Sequence, residues 1–168
     1  MLILLTLLHS ACAGQSTAIT QEQDLPPKGS CALPPPHADS DESAIQAVLT
    51  AEGELVVKQD IDLLMRLWND GAYIADAKNT ANDLNDDQHW LDKDAIRHRY
   101  VRTVFPGAPT VVTPKDLAIT IKERHATVIA TTQIGTELSP AGDRWELSKD
   151  GECWVIDSLT YNLESRDN

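Results

Sequence analysis

Arg144-Trp145-Glu146-Leu147-Ser148-Lys149-Asp150-Gly151-Glu152-Cys153-Trp154-Val155-Ile156-Asp157 is the stretch that decides the fold. Large apolar side chains alternate with polar ones on both sides of Asp150-Gly151, the pattern of a half-buried hairpin closed by a type I′ turn. A two-residue turn there sets Lys149 opposite Glu152, Leu147 opposite Trp154, Trp145 opposite Ile156 and Arg144 opposite Asp157. Trp145, Leu147, Trp154 and Ile156 then share one apolar face, which needs other elements to cover it. Upstream the same period of two continues. Leu117, Ile119 and Ile121 alternate with Ala118, Thr120 and Lys122. Glu123-Arg124-His125 reads as a turn, and residues 126–134 are rich in Thr, Val and Ile, a strand composition.

Further upstream the period changes to that of a helix. Ile45, Val48, Leu49, Leu55 and Val56 mark an amphipathic helix over roughly residues 41–58, with Asp39 or Ser40 as N-cap and Glu42 completing a capping box with Asp39. Asp60 caps a second helix, in which Ile61, Leu64, Leu67 and Trp68 share a face and Asn69-Asp70-Gly71 is the stop. Ala72-Tyr73-Ile74-Ala75 is a short strand. Residues 76–94 read as a polar loop holding six Asp. A third helix starts near Lys93, turns Ala95, Ile96, Tyr100 and Val104 one way, and ends at Phe105-Pro106-Gly107. Helix, helix, short strand, loop, helix and then long antiparallel strands make an α+β domain with helices on one face of a curved sheet.

The 168-residue chain is 42% hydrophobic, enough for the core of one domain. Its net charge of −12 repels phosphate backbones and anionic membrane surfaces, which argues against a nucleic-acid binder and against direct membrane adhesion. The chain divides into a leader at 1–13, a spacer at 14–39 and the domain at 40–168. Leu2 to Leu8 is a short apolar run, far below the roughly 20 residues that a membrane span needs, and it suits the apolar region of a secretory signal. The basic residues that normally precede such a run are missing, which leaves open a start further upstream. Ala11-Cys12-Ala13 fits cleavage before Gly14. Leu8-His9-Ser10-Ala11-Cys12 instead resembles a lipobox, with Cys12 lipidated and His9 a poor fit. The Pro-rich spacer, with Pro26-Pro27 and Pro34-Pro35-Pro36, is either a tether or an ordinary tail. Either cleavage takes Cys12 out of the thiol pool. Cys31 and Cys153 remain, an even pair that an oxidising compartment would join; two independent thiols are the alternative.

The residues from Asp60 through Leu67-Trp68-Asn69-Asp70-Gly71-Ala72-Tyr73-Ile74 resemble the second helix and first strand of the nuclear transport factor 2-like superfamily, which includes SnoaL-like cyclases, ketosteroid isomerase and scytalone dehydratase. Lys93-Asp94-Ala95-Ile96-Arg97 through Tyr100 resembles its third helix, with Asp92 where Gly is common. Asp143-Arg144-Trp145-Glu146-Leu147 and Gly151-Glu152-Cys153-Trp154-Val155-Ile156 resemble its closing strands. The resemblance spans about residues 41–162. It implies a cone-shaped α+β barrel with an internal pocket, and frequently a dimer across the sheet. It does not imply an activity, because the superfamily mixes enzymes with binding modules.

Acid–base chemistry in such a pocket needs a desolvated carboxylate or His. Glu52 sits on the apolar stripe of the first helix, either inside or at an edge that reaches water. Asp157 lies on the last strand, facing either a pocket or Arg144 across the hairpin. His125 lies at a turn. These three are the candidate catalytic residues, and Trp68, Tyr73 and Tyr100 the candidate pocket lining. Asp83, Asn85, Asp87 and Asp94 occupy calcium-loop places 1, 3, 5 and 12, but Gln88 replaces the turn Gly and no Glu stands at the last place, so an acidic surface loop explains them better. His89 and His98 have no zinc spacing, and no metal or other cofactor is called for. Arg97, His98, Arg99 and Arg102 form a basic cluster that either holds an anion or pairs with the acidic loop upstream. The expectation is an exported domain, either lipid-anchored or secreted, that binds a small apolar molecule or an envelope protein, with a pocket acid–base enzyme (isomerase, dehydratase or cyclase) as the alternative.

Overall fold

The computed structural model describes Cys31 and residues 39–163, apart from 79, 81–84, 111, 135–136 and 139–141. The leader, Cys12 and the Pro-rich spacer lie outside the described residues, Cys31 and Asp39 excepted.

Helix α1 (Asp41–Lys58) opens on Ser40, whose Oγ accepts from the Ser43 N–H at 3.2 Å while Ser43 Oγ accepts from the Ser40 N–H at 3.2 Å. The capping box thus sits one residue later than Asp39 and Glu42 suggested, because a hydroxyl at each position both donates and accepts. Helix α2 (Ile61–Arg66) is capped by Asp60, whose Oδ1 accepts from the Leu63 N–H. It stops earlier than the sequence pattern indicated. Strand β1 (Trp68–Asp76) takes over, and the Ile156 N–H donates to the Leu67 carbonyl at 2.8 Å. Asn69-Asp70-Gly71 is therefore not a helix stop. It fills the irregular stretch of β1 between the paired residues Trp68 and Tyr73.

Strand β2 (Gln88–Leu91) lies inside the stretch read as loop. It pairs with β1 through its backbone while its side chains stay largely exposed, so it leaves no apolar alternation to read. Helix α3 (Lys93–Arg99) follows, capped by Asp92, whose Oδ1 accepts from the Ala95 N–H at 2.9 Å. The helix then widens into a π-turn at Tyr100–Val104 and ends in a 3₁₀ turn at Phe105–Gly107.

Strands β3 (Val112–Lys122), β4 (His125–Ile134), β5 (Glu137–Leu138), β6 (Asp143–Asp150) and β7 (Cys153–Tyr161) complete the sheet. The spatial order is β2-β1-β7-β6-β4-β3, with β5 on β4. Neighbours are antiparallel except β1 and β7, which are parallel. The helix-containing path between β1 and β7 makes that parallel pairing reachable. His125 begins β4 opposite Lys122, so the turn is Glu123-Arg124 alone.

The closing hairpin turns one residue later than expected. Asp150 pairs with Cys153 around Gly151-Glu152, and Leu147 pairs with Ile156. Moving the turn by one residue shifts every pairing by two, so Trp145, Leu147, Trp154 and Ile156 still share the buried face. A bulge at Asp157 then changes the phase. Trp145 pairs with Leu159, and Leu159 and Tyr161 come to line the interior. Asp157 does not pair with Arg144. It accepts from Asn69 Nδ2 and Ser148 Oγ, each at 2.9 Å, and Arg144 reaches Glu146 instead.

The three helices cover the inner face, and one core forms from Ile45, Leu49, Leu64, Trp68, Ile96 and Trp145 with their neighbours. Gly53 decides how closely α1 meets the sheet. A Cβ at this position would lie 1.9 Å from the Val112 carbonyl oxygen of β3. A mid-helix Gly costs about 1 kcal/mol against Ala, and here it permits backbone contact. Gly53→Ala is accordingly expected to destabilise by about 1–3 kcal/mol, although Ala is the better helix former. Equilibrium urea unfolding checks this, and an unchanged or raised midpoint would refute the close contact.

A Cys31–Cys153 disulfide, Cα–Cα 5.3 Å, joins the segment before α1 to the start of β7. Nearby, Asp41 Oδ1 accepts from Lys149 Nζ at 2.7 Å and from Trp154 Nε1 at 3.0 Å. The Lys149 hydrogen bond, then that of Trp154, hold the Asp41 carboxyl below its ordinary range.

Candidate functional site

A cavity lies between α1, the end of α3 and the inner face of the sheet. Glu52 and Val56 of α1 border it, as do Arg99, Tyr100 and Val104 from α3 and its π-turn. Val112, Asp143, Trp145, Leu159 and Tyr161 line it from the sheet. The cavity is about 30 Å³, room for roughly two waters. A ligand beyond a few heavy atoms therefore requires the wall to move.

Glu52 is 3% exposed. Of its two sequence readings, the interior one is what the structure has. The stripe from Leu49 to Leu55 turns inward, and Gly53 lets the helix sit close enough to carry Glu52 with it. Tyr100 Oη donates to Glu52 Oε1 at 2.6 Å. Burial pushes the Glu52 carboxyl up to about 7, opposed by the Tyr100 hydrogen bond and the Arg99 charge and reinforced by Asp143. Burial first, and then the Glu52 charge, drive the Tyr100 hydroxyl well above its ordinary value, so it remains a donor. Tyr100 thus occupies Oε1, and Oε2 is the oxygen left to exchange a proton.

Arg99 is 8% exposed. Its guanidinium lies 4.9 Å from the ring centroids of Trp90 and Tyr161 and 5.6 Å from that of Tyr100, a cation held among three π faces. The basic cluster of the sequence is therefore split. Arg97 pairs outward with Asp62 of α2 at 2.6 Å, not with the acidic loop, whereas Arg99 turns inward.

The other predicted site residues lie elsewhere. His125 is exposed at the far hairpin, and Asp157 is held on the outer side of the bulge. Tyr73 is 37% exposed on β1. Trp68 is buried behind the cavity, packed on Tyr100 and Trp145 with centroids 6.3 and 6.2 Å away, but does not border it. Of the named lining residues only Tyr100 does. Asp143, Arg99 and Tyr161 were not singled out for the pocket. Asp143 opens a strand and Arg99 sits in a basic run, positions that look like surface until the chain closes. Asp83 lies outside the described residues, and among the described residues no three His, Cys, Asp or Glu side chains gather as a metal site would need.

This arrangement, a cone of three helices on a sheet whose first strand runs parallel to its last, matches many solved structures. The chain has the nuclear transport factor 2-like fold. An NTF2-like protein with a cystatin-like fold from Novosphingobium aromaticivorans is 15% identical, with TM-score 0.60 over 76% of this chain and 84% of that one. An NTF2-like protein of unknown function from Pseudomonas putida is 14% identical, with TM-score 0.56 over 71% of this chain and 84% of that one. A candidate dehydratase of the NTF2-like family from Streptomyces avermitilis is 15% identical, with TM-score 0.51 over 74% of this chain and 96% of that one. No family model matches the sequence, and no curated protein does. At such identities the NTF2-like likeness concerns the fold, and the chemistry has to be argued from the cavity.

Proposed function

We propose that this NTF2-like domain is a proton-transfer enzyme acting on a small, mostly apolar molecule, with Glu52 as its acid–base group. The observation that carries the reading is Glu52 itself, buried at the cavity wall, held by Tyr100 and poised near neutrality. A group with a pKa near the working pH both gives and takes a proton efficiently. Perturbed carboxylates in clefts mark functional sites more often than chance, and Val56, Val104, Val112 and Leu159 supply the apolar remainder. The reaction classes that fit are isomerisation and dehydration. The candidate dehydratase of the same fold is consistent with the second.

The test is solvent deuterium uptake. Small carbonyl and hydroxyl compounds are incubated in D₂O with the wild type or Glu52→Gln and followed by proton NMR. Wild-type exchange should exceed that of the variant by about 10² to 10⁴-fold. Equal rates for every compound would refute catalysis, and binding without exchange would leave a carrier of small apolar molecules. The domain is further read as exported. That rests on the leader-like segment and is supported by the Cys31–Cys153 bond, which an oxidising compartment would preserve.

A further inference from the structure

At the end of α3 two consecutive side chains turn inward. Arg99 is 8% exposed and Tyr100 2%. Neighbouring helical residues point about 100° apart, so the two meet different partners. Tyr100 reaches Glu52. Arg99 turns aside onto the sheet, where its guanidinium lies 4.9 Å from the ring centroids of both Trp90 and Tyr161. Trp90 of β2 pairs with Ile74, and Tyr161 of β7 pairs with Asp76, so β1 runs between the strands that carry the two rings.

A guanidinium buried near a carboxylate normally forms an ion pair with it. Arg99 and Glu52 border one cavity of only about 30 Å³. The Arg99 charge acts on Glu52, yet no salt bridge joins the two. The ring faces are the attraction that competes for Arg99. Either extreme would spoil an acid–base group. A Glu52 paired with Arg99 would stay a carboxylate and have no proton to give. With no cation near it, the buried carboxylate would be too costly to form. A cation held close but apart supports the ionised form without capturing it.

We infer that Trp90 and Tyr161 are positioning residues, which keep the Arg99 guanidinium on their ring faces and out of an ion pair with Glu52. The inference rests on the proton-transfer reading and names what keeps the Glu52 proton exchangeable. Besides Arg99, the titratable groups that face the cavity with Glu52 are Tyr100 on the π-turn, Asp143 on β6 and Tyr161 on β7. From β3 comes Val112, and from α1 itself Val56. Arg99 is the one cation of this set, so a stronger hold on the Glu52 carboxylate has to come from Arg99 or from water.

The experiment follows the Glu52 carboxyl carbon by NMR against pH in the whole disulfide-bonded protein, where the wild-type midpoint is about 7. Trp90→Leu and Tyr161→Leu each remove a ring face. Each should lower the midpoint by about one pH unit or more, as happens to a carboxyl that a guanidinium reaches. Trp90→Phe and Tyr161→Phe keep the face and should leave the midpoint near the wild-type value. Arg99→Gln should raise it, and in that background the Leu substitutions should no longer lower it. A fall that persists without Arg99 would trace to water entering the cavity and would overturn the inference. An unchanged or raised midpoint in the Leu variants would overturn it too. The wild type gives a check that needs no variant. The methylene protons beside the Arg99 guanidinium should stay shifted upfield by the rings at about pH 5 and about pH 9, on either side of the midpoint. Loss of that shift as Glu52 ionises would show Arg99 leaving the rings for the carboxylate, against the inference. Ring-dependent midpoints without deuterium uptake into any compound would support the positioning role while removing the proton-transfer reading. Deuterium uptake with midpoints that ignore the rings would do the reverse.

Discussion

Glu52→Gln should make the protein more stable above neutral pH, and by a large margin. The Glu52 carboxyl titrates at about 7 in the folded chain against an ordinary value of 4.5. Between those limits the folded state holds a proton that the unfolded state releases, so stability falls as pH rises through the window and levels off above it. A difference of this size corresponds to about 3 kcal/mol at full ionisation. Gln has nearly the shape of the neutral acid, and its carbonyl can still accept from Tyr100, but it does not ionise. Urea unfolding of both proteins between about pH 4 and pH 8 should give matching stabilities at the acid end and curves that diverge toward the alkaline end. Parallel curves would mean that Glu52 is not desolvated. A stability cost retained at a cavity wall is what an acid–base role would explain.

Reducing the Cys31–Cys153 bond should cost more. The bond closes a stretch of 122 residues. Chain-entropy arithmetic for a loop of that length gives about 4–5 kcal/mol, and removing native disulfides typically costs about 2–5. The Cys31→Ser, Cys153→Ser double variant should show a urea midpoint lowered accordingly, with a steeper denaturant dependence because its unfolded chain expands more. The wild type in reductant should behave the same way. A midpoint that neither change moves would show that the tail contributes nothing to the domain. The bond closes beside Asp41, where Lys149 and Trp154 already bind the first turn of α1 to the β6–β7 hairpin. The two linkages would therefore not add independently.

Much of this was legible from local pattern. The α1 stripe, the alternation through Leu117 to Ile121 and the Trp145, Leu147, Trp154 and Ile156 face each report one element against one core. Periodicity records that directly. The buried face survived a misplaced hairpin turn because the slip preserved side-chain parity. Errors arose where a tertiary partner overrode local preference. Trp68 left its helical stripe for a strand because β7 offered backbone pairing, and β2 formed with almost no apolar signal because β1 supplied its hydrogen bonds. Asp157 was placed by a bulge that no composition announces.

By itself the sequence determined the α+β order, the helix-over-sheet layering, the acidic surface and the position of Glu52 on an apolar stripe, because those follow from spacing along the chain. Only the tertiary structure decided that Arg99, Tyr100, Asp143 and Tyr161 meet Glu52 at one cavity, and that Asp157 and His125 do not. Those residues lie far apart in sequence. Their electrostatic character comes from burial and from one another, and neither exists until the chain has closed.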